Sequence, residues 1–131
     1  MQAAISRFVD NFYLAGEDLD AAQLELIYGE RVAYFGQRRK ARAGIIADKL
    51  AYYKRWPQRF YARVPGSLSI ERLPGPRRRV EVRFDYEFDL AGAGRRSAGR
   101  GSAILTLDLT SGGGRIVREE GRVLERARRR P

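Results

Sequence analysis

The spacing of apolar residues changes once along this chain, near Pro57, from the period of a helix to the period of a strand. Before Pro57 apolar residues recur every three or four positions, as in the stripe of Ile5, Val9 and Phe12. After it they alternate with polar residues, most clearly over 80–90. Because helices precede strands, the order predicts an α+β domain whose helices pack on one face of a curled antiparallel sheet.

Capping and stop signals place the elements of the first half. Asp20 and Gln23 have the spacing of a capping box, in which each side chain accepts a hydrogen bond from the other residue's backbone amide. The residue before Pro57 is sterically excluded from helical geometry, so a helix ends there. The prediction is three helices, over 4–14 (ending at Gly16), after Asp20 and over 41–55, with a short strand over 32–36.

Beyond Pro57, turn signals divide the chain into strands. Pro65-Gly66 interrupts the alternation as a bulge or tight bend, and 73–76 is a turn. The sequence predicts a sheet of four to five strands in all. The remaining segments are predicted to be a loop over 91–101, a hairpin turn over 111–114, and a basic tail over 126–131 that follows a single domain over 1–125.

The chain contains no cysteine and no histidine. Disulfides, thiolate nucleophiles, imidazole bases and nearly all zinc chemistry are therefore excluded, and carboxylates and tyrosines remain for any reaction. The phosphate-loop and dinucleotide patterns are also absent, since Gly92-Ala93-Gly94 lies between strands with no helix after it. We expect neither a metal nor a cofactor.

The net charge of +10 is unevenly distributed, with −5 in the first 30 residues and +15 in the rest. Binding to nucleic acid is one possible consequence. The basic clusters contain no aromatic residue and no known nucleic-acid-binding motif accompanies them, so we favour solvated loop charge. The clusters are Arg38–Arg42, Arg77–Arg79, Arg95–Arg100 and Arg128–Arg130.

The element order, together with a few short segments, resembles the nuclear transport factor 2-like superfamily. The segments are Phe8–Tyr13, Val32–Gly36, Asp48-Lys49 and Arg55–Tyr61. They are similar to those of an uncharacterised bacterial branch of this superfamily, which also contains ketosteroid isomerase, the SnoaL-like cyclases and limonene epoxide hydrolase. The resemblance implies a cone-shaped fold in which the sheet curls around a pocket and the helices close its narrow end. Function is then expected on the concave face, although the fold alone does not specify it.

Asp48 is the first acidic candidate for that pocket. A carboxylate in an apolar pocket can act as a base or hold a donor of the ligand. The alternative is that Asp48 pairs with a nearby arginine or caps backbone groups at the pocket rim. Tyrosine hydroxyls can likewise serve as donors inside the cone, or their rings can simply fill the core. The pocket candidates are Tyr13, Tyr34, Asp48, Tyr52, Trp56, Tyr61 and Tyr86, with Tyr34 and Tyr86 the strongest of the tyrosines.

The junction at Trp56 also allows two interpretations. In the favoured one, Trp56 fills the junction between helix and sheet, and Arg55 or Arg59 binds a carbonyl or Asp48. In the other, Trp56 covers a ligand while one of these arginines binds its carboxylate or phosphate.

These observations predict a non-catalytic domain that binds a small apolar ligand or mediates assembly, alone or as one module of a larger bacterial protein. The alternative is an isomerase- or cyclase-like enzyme with Asp48 as base and Tyr34 or Tyr86 as donor, although neither the isomerase nor the epoxide hydrolase pattern is complete. Nucleic-acid binding through the arginine loops is a second alternative.

The charged outer face of the sheet, over 81–89, predicts a homodimer. No charge-free stretch exceeds seven residues, so we expect no membrane span and no signal-peptide core. If the chain is complete, this composition predicts a cytoplasmic location.

Overall fold

A computed structural model describes residues 2–15, 18–110 and 114–127. This part of the chain contains three helices and seven strands, and five of the strands follow the last helix. The helices are α1 (Gln2–Phe8), continued by a π-helical turn (Val9–Tyr13), α2 (Ala21–Ile27) and α3 (Arg42–Arg55). The strands are β1 (Tyr28–Tyr34), β2 (Gln37–Ala41), β3 (Gln58–Arg63), β4 (Ser69–Arg72), β5 (Arg79–Gly92), β6 (Arg95–Asp108) and β7 (Arg115–Arg126).

All seven strands form one curled, unclosed sheet, more than the four to five predicted. Its order is β2-β1-β7-β6-β5-β3, and β4 pairs with the other half of β5. The expectation of a purely antiparallel sheet was wrong for one pair of strands, because β1 and β7 run parallel. Parallel strands need a long crossover. Here most of the chain separates the two partners, a relation that local alternation cannot reveal.

Two further predictions were wrong for local reasons. The basic segment Gln37–Ala41 is edge strand β2, which lacks apolar alternation because four of its five residues are polar or charged. The segment 91–101, predicted as a loop, is almost entirely strand. Only a tight turn at Ala93 and Gly94, with φ of 49° and 74°, separates β5 from β6. Small residues there pair through their backbones, so the segment extends the hairpin.

Other local signals are confirmed. In the capping box, the Gln23 amide donates to Asp20 Oδ1 at 2.8 Å and the Asp20 amide donates to Gln23 Oε1 at 2.9 Å. Helix α3 ends at Arg55, directly before Trp56 and Pro57. The alternation over 80–90 is present, since every apolar residue of the set except Tyr86 is buried, and Val80, Val82 and Phe84 belong to the core. The predicted stop at Gly16, the turn at 111–113 and the tail over 128–131 lie outside the described residues.

The concave face of the sheet packs against the helices through one apolar core. Val9 and Ile45 from the helical side meet Phe84 and Leu105 from the strands, all with at most 2% exposure. Several partly buried tyrosines border this core and lead from it into a cavity. None of the described helices is long and apolar enough to cross a membrane.

Candidate ligand-binding cavity

A cavity of about 390 Å³ lies between the helices and the concave face of the sheet. All seven tyrosines of the chain line it. They come from the π-helical turn, from β1, from α3 and from β3 and β5, so residues distant in sequence converge on one space. Its charged lining residues are Asp48, Lys49, Arg59 and Glu119.

Glu119 is a fully buried carboxylate in the cavity wall, with 0% exposure. The Tyr28 hydroxyl donates to Oε1 at 2.6 Å, and the Tyr13 hydroxyl donates to Oε2 at 2.6 Å. The Lys49 ammonium donates to Oε2 at 3.1 Å. An ionised carboxylate is tolerated in such a place only when donors and a counter-charge surround it, and these three side chains supply both.

A β-bulge turns Glu119 inward. Leu107 pairs with Ile116, but the next residue back, Thr106, pairs with Arg118, so Val117 is an extra residue in β7. One extra residue reverses the alternation beyond it. Glu119 therefore shares the buried face with Ile116.

Lys49 is held as an ammonium ion. Its Nζ lies 5.7 to 5.9 Å from the ring centroids of Tyr13, Tyr28 and Tyr34, a cation–π arrangement, in addition to its contact with Glu119. Burial by itself would lower the pKa of Lys49, but Glu119 and these tyrosines raise it well above its usual value. Lys49 is therefore a hydrogen-bond donor, not an amine nucleophile.

Six of the cavity tyrosines are held as neutral phenols by a raised pKa. Burial is the main cause that raises the pKa of Tyr13 and Tyr28, and the negative charge of Glu119 adds to it. Burial also raises the pKa of Tyr61, whose hydroxyl lies 2.5 Å from that of Tyr52. The pKa values of Tyr34, Tyr53 and Tyr86 are raised by burial as well.

A glycine on β6 makes room for one of these rings. Gly101 pairs with Tyr86, and a Cβ on Gly101 would lie 2.6 Å from the Tyr86 ring. The ring therefore lies over the glycine backbone, between Phe84 and Phe88, with centroids 6.3 and 6.2 Å away.

Arg59 is a buried cation in the same wall, with 1% of its side chain exposed. It donates to the Trp56 carbonyl at 2.5 Å and forms an ion pair with Asp18. Its guanidinium carbon lies 4.4 Å from the centroid of the Tyr53 ring. Among the described residues, Arg59 thus pairs with Asp18 and not with Asp48.

The other sequence candidates lie at the rim or outside. Asp48 lines the cavity, but its side chain is 51% exposed and Oδ2 lies 2.5 Å from Lys40 Nζ. Trp56 and Arg55 are absent from the described lining residues. Trp56 is half-buried and its ring faces the Arg95 guanidinium at 5.5 Å, whereas Arg55 is exposed.

Sequence analysis did not single out Glu119, Tyr28 or Lys49 as site residues. The available signal for Glu119 was the adjacent apolar pair Ile116-Val117, which breaks strict alternation just before it. The described residues contain no group of three or more acidic side chains placed to hold a metal ion.

No protein-family model and no curated protein matches the chain, but several solved structures share its fold. A nuclear transport factor 2-like superfamily protein from Salmonella enterica serovar Typhimurium superposes with a TM-score of 0.74 at 12% identity, covering 93% of this chain and 89% of that one. A Novosphingobium aromaticivorans protein, provisionally described as an aromatic ring hydroxylase, gives 0.70 at 15% identity, covering 95% and 86%.

A nuclear transport factor 2-like protein of unknown function from Silicibacter pomeroyi gives a TM-score of 0.55 at 21% identity, covering 93% of this chain and 94% of that one. At such low identities the likeness concerns the fold. The element order, the curled sheet and these superpositions agree, and the chain therefore has the nuclear transport factor 2-like fold that its sequence predicted.

Proposed function

We propose that this protein is a non-catalytic domain that binds a small, largely apolar ligand in the tyrosine-lined cavity. The convergence of all seven tyrosines on one cavity carries the proposal. Tyrosine rings offer apolar surface while their hydroxyls provide a few fixed polar points, which is the usual composition of a small-molecule site.

The polar groups of the cavity favour a ligand that carries hydrogen-bond acceptors. Lys49 is an ammonium with two protons beyond the one it gives to Glu119, and the phenols of Tyr34 and Tyr86 keep their protons, so these groups can donate to a ligand. In the Tyr52–Tyr61 pair one hydroxyl proton is used between the two oxygens, which leaves the second proton for a ligand. The ligand therefore carries a carbonyl, hydroxyl or carboxylate on an apolar frame.

The same groups argue for binding over proton transfer. A general base needs a free acceptor and a pKa near the working pH. Both oxygens of Glu119 already accept hydrogen bonds, Lys49 holds its proton, and Asp48 is paired with Lys40 at the rim. The isomerase-like alternative, with Asp48 as base and Tyr34 or Tyr86 as donor, would have to break that ion pair.

Two matched probes test the proposal: 2-naphthoate, which has an acceptor group, and 2-methylnaphthalene, which has nearly the same shape without one. We expect calorimetry to show stronger binding of 2-naphthoate. Ala15→Trp, which places an indole at a lining position, should abolish binding of both. Ala51→Trp, on the exposed side of α3, is the matched control and should bind like the wild type.

Equal binding by Ala15→Trp and the wild type would exclude the cavity as the site. Equal affinity for the two probes would show that the donors of the cavity do not bind an acceptor on the ligand. If the proposal holds, mass spectrometry of small molecules released from the purified protein can identify the natural ligand. We expect a molecule with an apolar frame and an oxygen acceptor.

We further propose assembly of two copies through the outer face of the sheet. That face carries both signs of charge. Strand β5 carries mainly acids there, whereas β6 and β7 carry four arginines, of which Arg100 pairs with Glu87 and Arg118 lies beside Glu120. Phe60, 62% exposed, lies beside Asp89 at the edge of the same face and can serve as an apolar anchor. The acids are Glu81, Asp85, Glu87 and Asp89, and the arginines are Arg96, Arg100, Arg118 and Arg122.

A two-fold axis would place the acids of one copy on the arginines of the other. Sedimentation should then show a dimer that Asp85→Arg/Glu87→Arg converts to monomer. Arg100→Glu/Arg122→Glu should also be monomeric alone, and mixing the two variants should restore a dimer. A wild-type monomer at high micromolar concentration would exclude assembly through this face.

A further inference from the structure

Four arginines, at the end of β4, in the connection after it and at the start of β5, surround a second crevice of about 250 Å³. Arg72, Arg77, Arg78 and Arg79 all line it. Its described lining residues include no acid, and none of them lines the tyrosine cavity. The crevice is thus a separate, strongly positive feature of the surface.

One buried carboxylate holds two of these arginines side by side. Arg77 Nε and Arg79 Nε donate to the same oxygen, Oδ2 of Asp108, at 2.8 and 3.1 Å. The other oxygen, Oδ1, accepts from the Thr110 amide at 2.9 Å. Because only the Nε atoms bind Asp108, the terminal amino groups of both guanidiniums have no hydrogen-bond partner within the described chain.

The backbone under the arginines is fixed from both sides. The Leu109 amide donates to the Arg78 carbonyl at 2.6 Å, and the Arg78 amide donates to Thr110 Oγ1 at 3.1 Å. On the opposite side the Leu73 amide donates to the Arg79 carbonyl at 3.0 Å. The anchored pair is therefore preorganised, which lowers the entropy lost when it binds an anion.

The positive charges of Arg77 and Arg79 are only partly balanced by nearby acids. Asp108 supplies one negative charge to two guanidiniums, and Arg72 and Arg78 form no ion pair with any described residue. Two guanidinium forks can bind several oxygens of one anion at once, which suits phosphate better than a carboxylate with two oxygens. A dianion also gains more than a monoanion from the surplus of positive charge.

We propose that this crevice is a binding site for the phosphate group of a small phosphomonoester. Arg77 and Arg79 form its fixed base, and Arg72 and Arg78 close over the anion from the exposed side. A solvated arginine cluster without a ligand is the competing interpretation. The two differ in whether an anion is held at a defined place.

The test is a titration of the full chain with inorganic phosphate and phenyl phosphate, followed by NMR and calorimetry at constant ionic strength. Arg72→Gln/Arg78→Gln removes two charges and leaves the Asp108 pair intact. Arg38→Gln/Arg39→Gln, on the exposed edge strand β2, removes two charges elsewhere and is the matched control. Thermal unfolding of all three proteins checks that each one folds.

We expect phosphate and phenyl phosphate to shift the signals around Thr110, and Arg72→Gln/Arg78→Gln to weaken binding by at least about tenfold, or about 1.4 kcal/mol. The control should bind like the wild type. Binding to phosphatidic acid vesicles but not to phenyl phosphate would place the same phosphate on a lipid. Equal weakening in both variants, or an oligonucleotide bound in place of the phosphates, would overturn the proposal.

Discussion

Glu119 and Asp108 are both buried carboxylates, but the structure neutralises them with different partners. Glu119 lies in the cavity wall and accepts from two phenols and one ammonium. Asp108 lies near the surface and accepts from two guanidiniums and a backbone amide. The first arrangement balances its charge inside the fold, whereas the second leaves a surplus of positive charge that faces solvent.

The comparison shows how the partners of a buried acid determine what the neighbouring surface can bind. Around Glu119, the Tyr13 and Tyr28 hydroxyls and one proton of Lys49 are already donated to the carboxylate. The adjoining cavity is therefore apolar with a few donors. Around Asp108 each arginine uses one of its five donors, and the side chains of Arg77 and Arg79 are 60% and 39% exposed. We therefore expect the Glu119 region to bind apolar molecules and the Asp108 region to bind anions.

The largest expected effect is alkaline unfolding of the Glu119 region. Unfolded tyrosines lose their protons near pH 10, whereas Tyr13 and Tyr28 in the fold keep theirs. The folded state then binds more protons, so stability falls as the pH rises above about 10, by about 1.4 kcal/mol per pH unit for each such phenol. Lys49, whose pKa is also raised, acts in the same direction at higher pH.

Ultraviolet titration of phenolate, followed together with circular dichroism, measures this effect. The phenolate signal of Tyr13 and Tyr28 should appear together with the loss of the circular dichroism signal, above pH 10. Tyr13→Phe/Tyr28→Phe should lose stability less steeply with pH than the wild type. Complete phenolate formation near pH 10 in a protein that is still folded would show that the phenols are not buried as described.

The next largest change in the free energy of unfolding is expected when the Glu119 carboxylate is removed. Glu119→Ala leaves the Lys49 ammonium and two phenols without their acceptor, and loss of one partner of a buried ion pair costs about 3–5 kcal/mol. Urea denaturation measures the change. Glu120→Ala is the adjacent control, since Glu120 pairs with Arg118 on the partly exposed outer face and should cost less than about 1 kcal/mol. Similar losses in both variants would contradict the inward position of Glu119.

The Asp108 region should respond to acid. Burial would raise the pKa of Asp108, but hydrogen bonds from Thr110, Arg77 and Arg79 hold it well below its usual value. Its contribution to stability is complete above the unfolded pKa of about 4 and is lost as the pH falls below it. Asp108→Asn should lose about 1.5–3 kcal/mol at neutral pH and show a flatter decline between about pH 4 and 2.

Glu30→Gln is the control for that experiment, because Glu30 is exposed on β1 and its side chain has no hydrogen-bond partner within the described chain. Its free energy of unfolding at neutral pH should lie within about 0.5 kcal/mol of the wild-type value. An unchanged acid slope in Asp108→Asn would show that the two arginines are not held by this carboxylate.

The smallest effect is expected at Asp48. Its pair with Lys40 is half-exposed, and such surface pairs contribute less than about 1 kcal/mol. Asp48→Asn should therefore change the free energy of unfolding by less than that amount and leave 2-naphthoate binding unchanged. A large loss of binding would place Asp48 in contact with the ligand and revive the enzyme alternative.

Local chemistry allowed much of the fold to be predicted from the sequence. The capping box at Asp20, the helix stop before Pro57 and the alternation over 80–90 each depend on a few neighbouring residues, and all three are confirmed. The edge strand β2 and the parallel pairing of β1 with β7 depend on partners distant in sequence, and both were missed.

The candidate site could likewise be predicted only in part from the sequence. The absence of histidine and cysteine limited its chemistry to carboxylates, tyrosines, lysine and arginine, and the resemblance indicated that a cavity would lie on the concave face. The inward position of Glu119 depends on one unpaired residue, Val117. Because Val117 is an extra residue in β7, it reverses which side chains beyond it face inward. A period-two pattern assigns Glu119 to the opposite face, so the sequence offers no reason to select it. Asp48 was selected instead for its position on the third helix.

The sequence by itself determined the residue types, the three helices and the α+β class, since periodicity and capping are properties of short segments. Only the tertiary structure decided which carboxylate is buried, that all seven tyrosines share one cavity, and that two arginines share one oxygen of Asp108. The physical reason is that burial and pairing depend on strand register. In a curled sheet a shift of one residue exchanges the inner and outer faces.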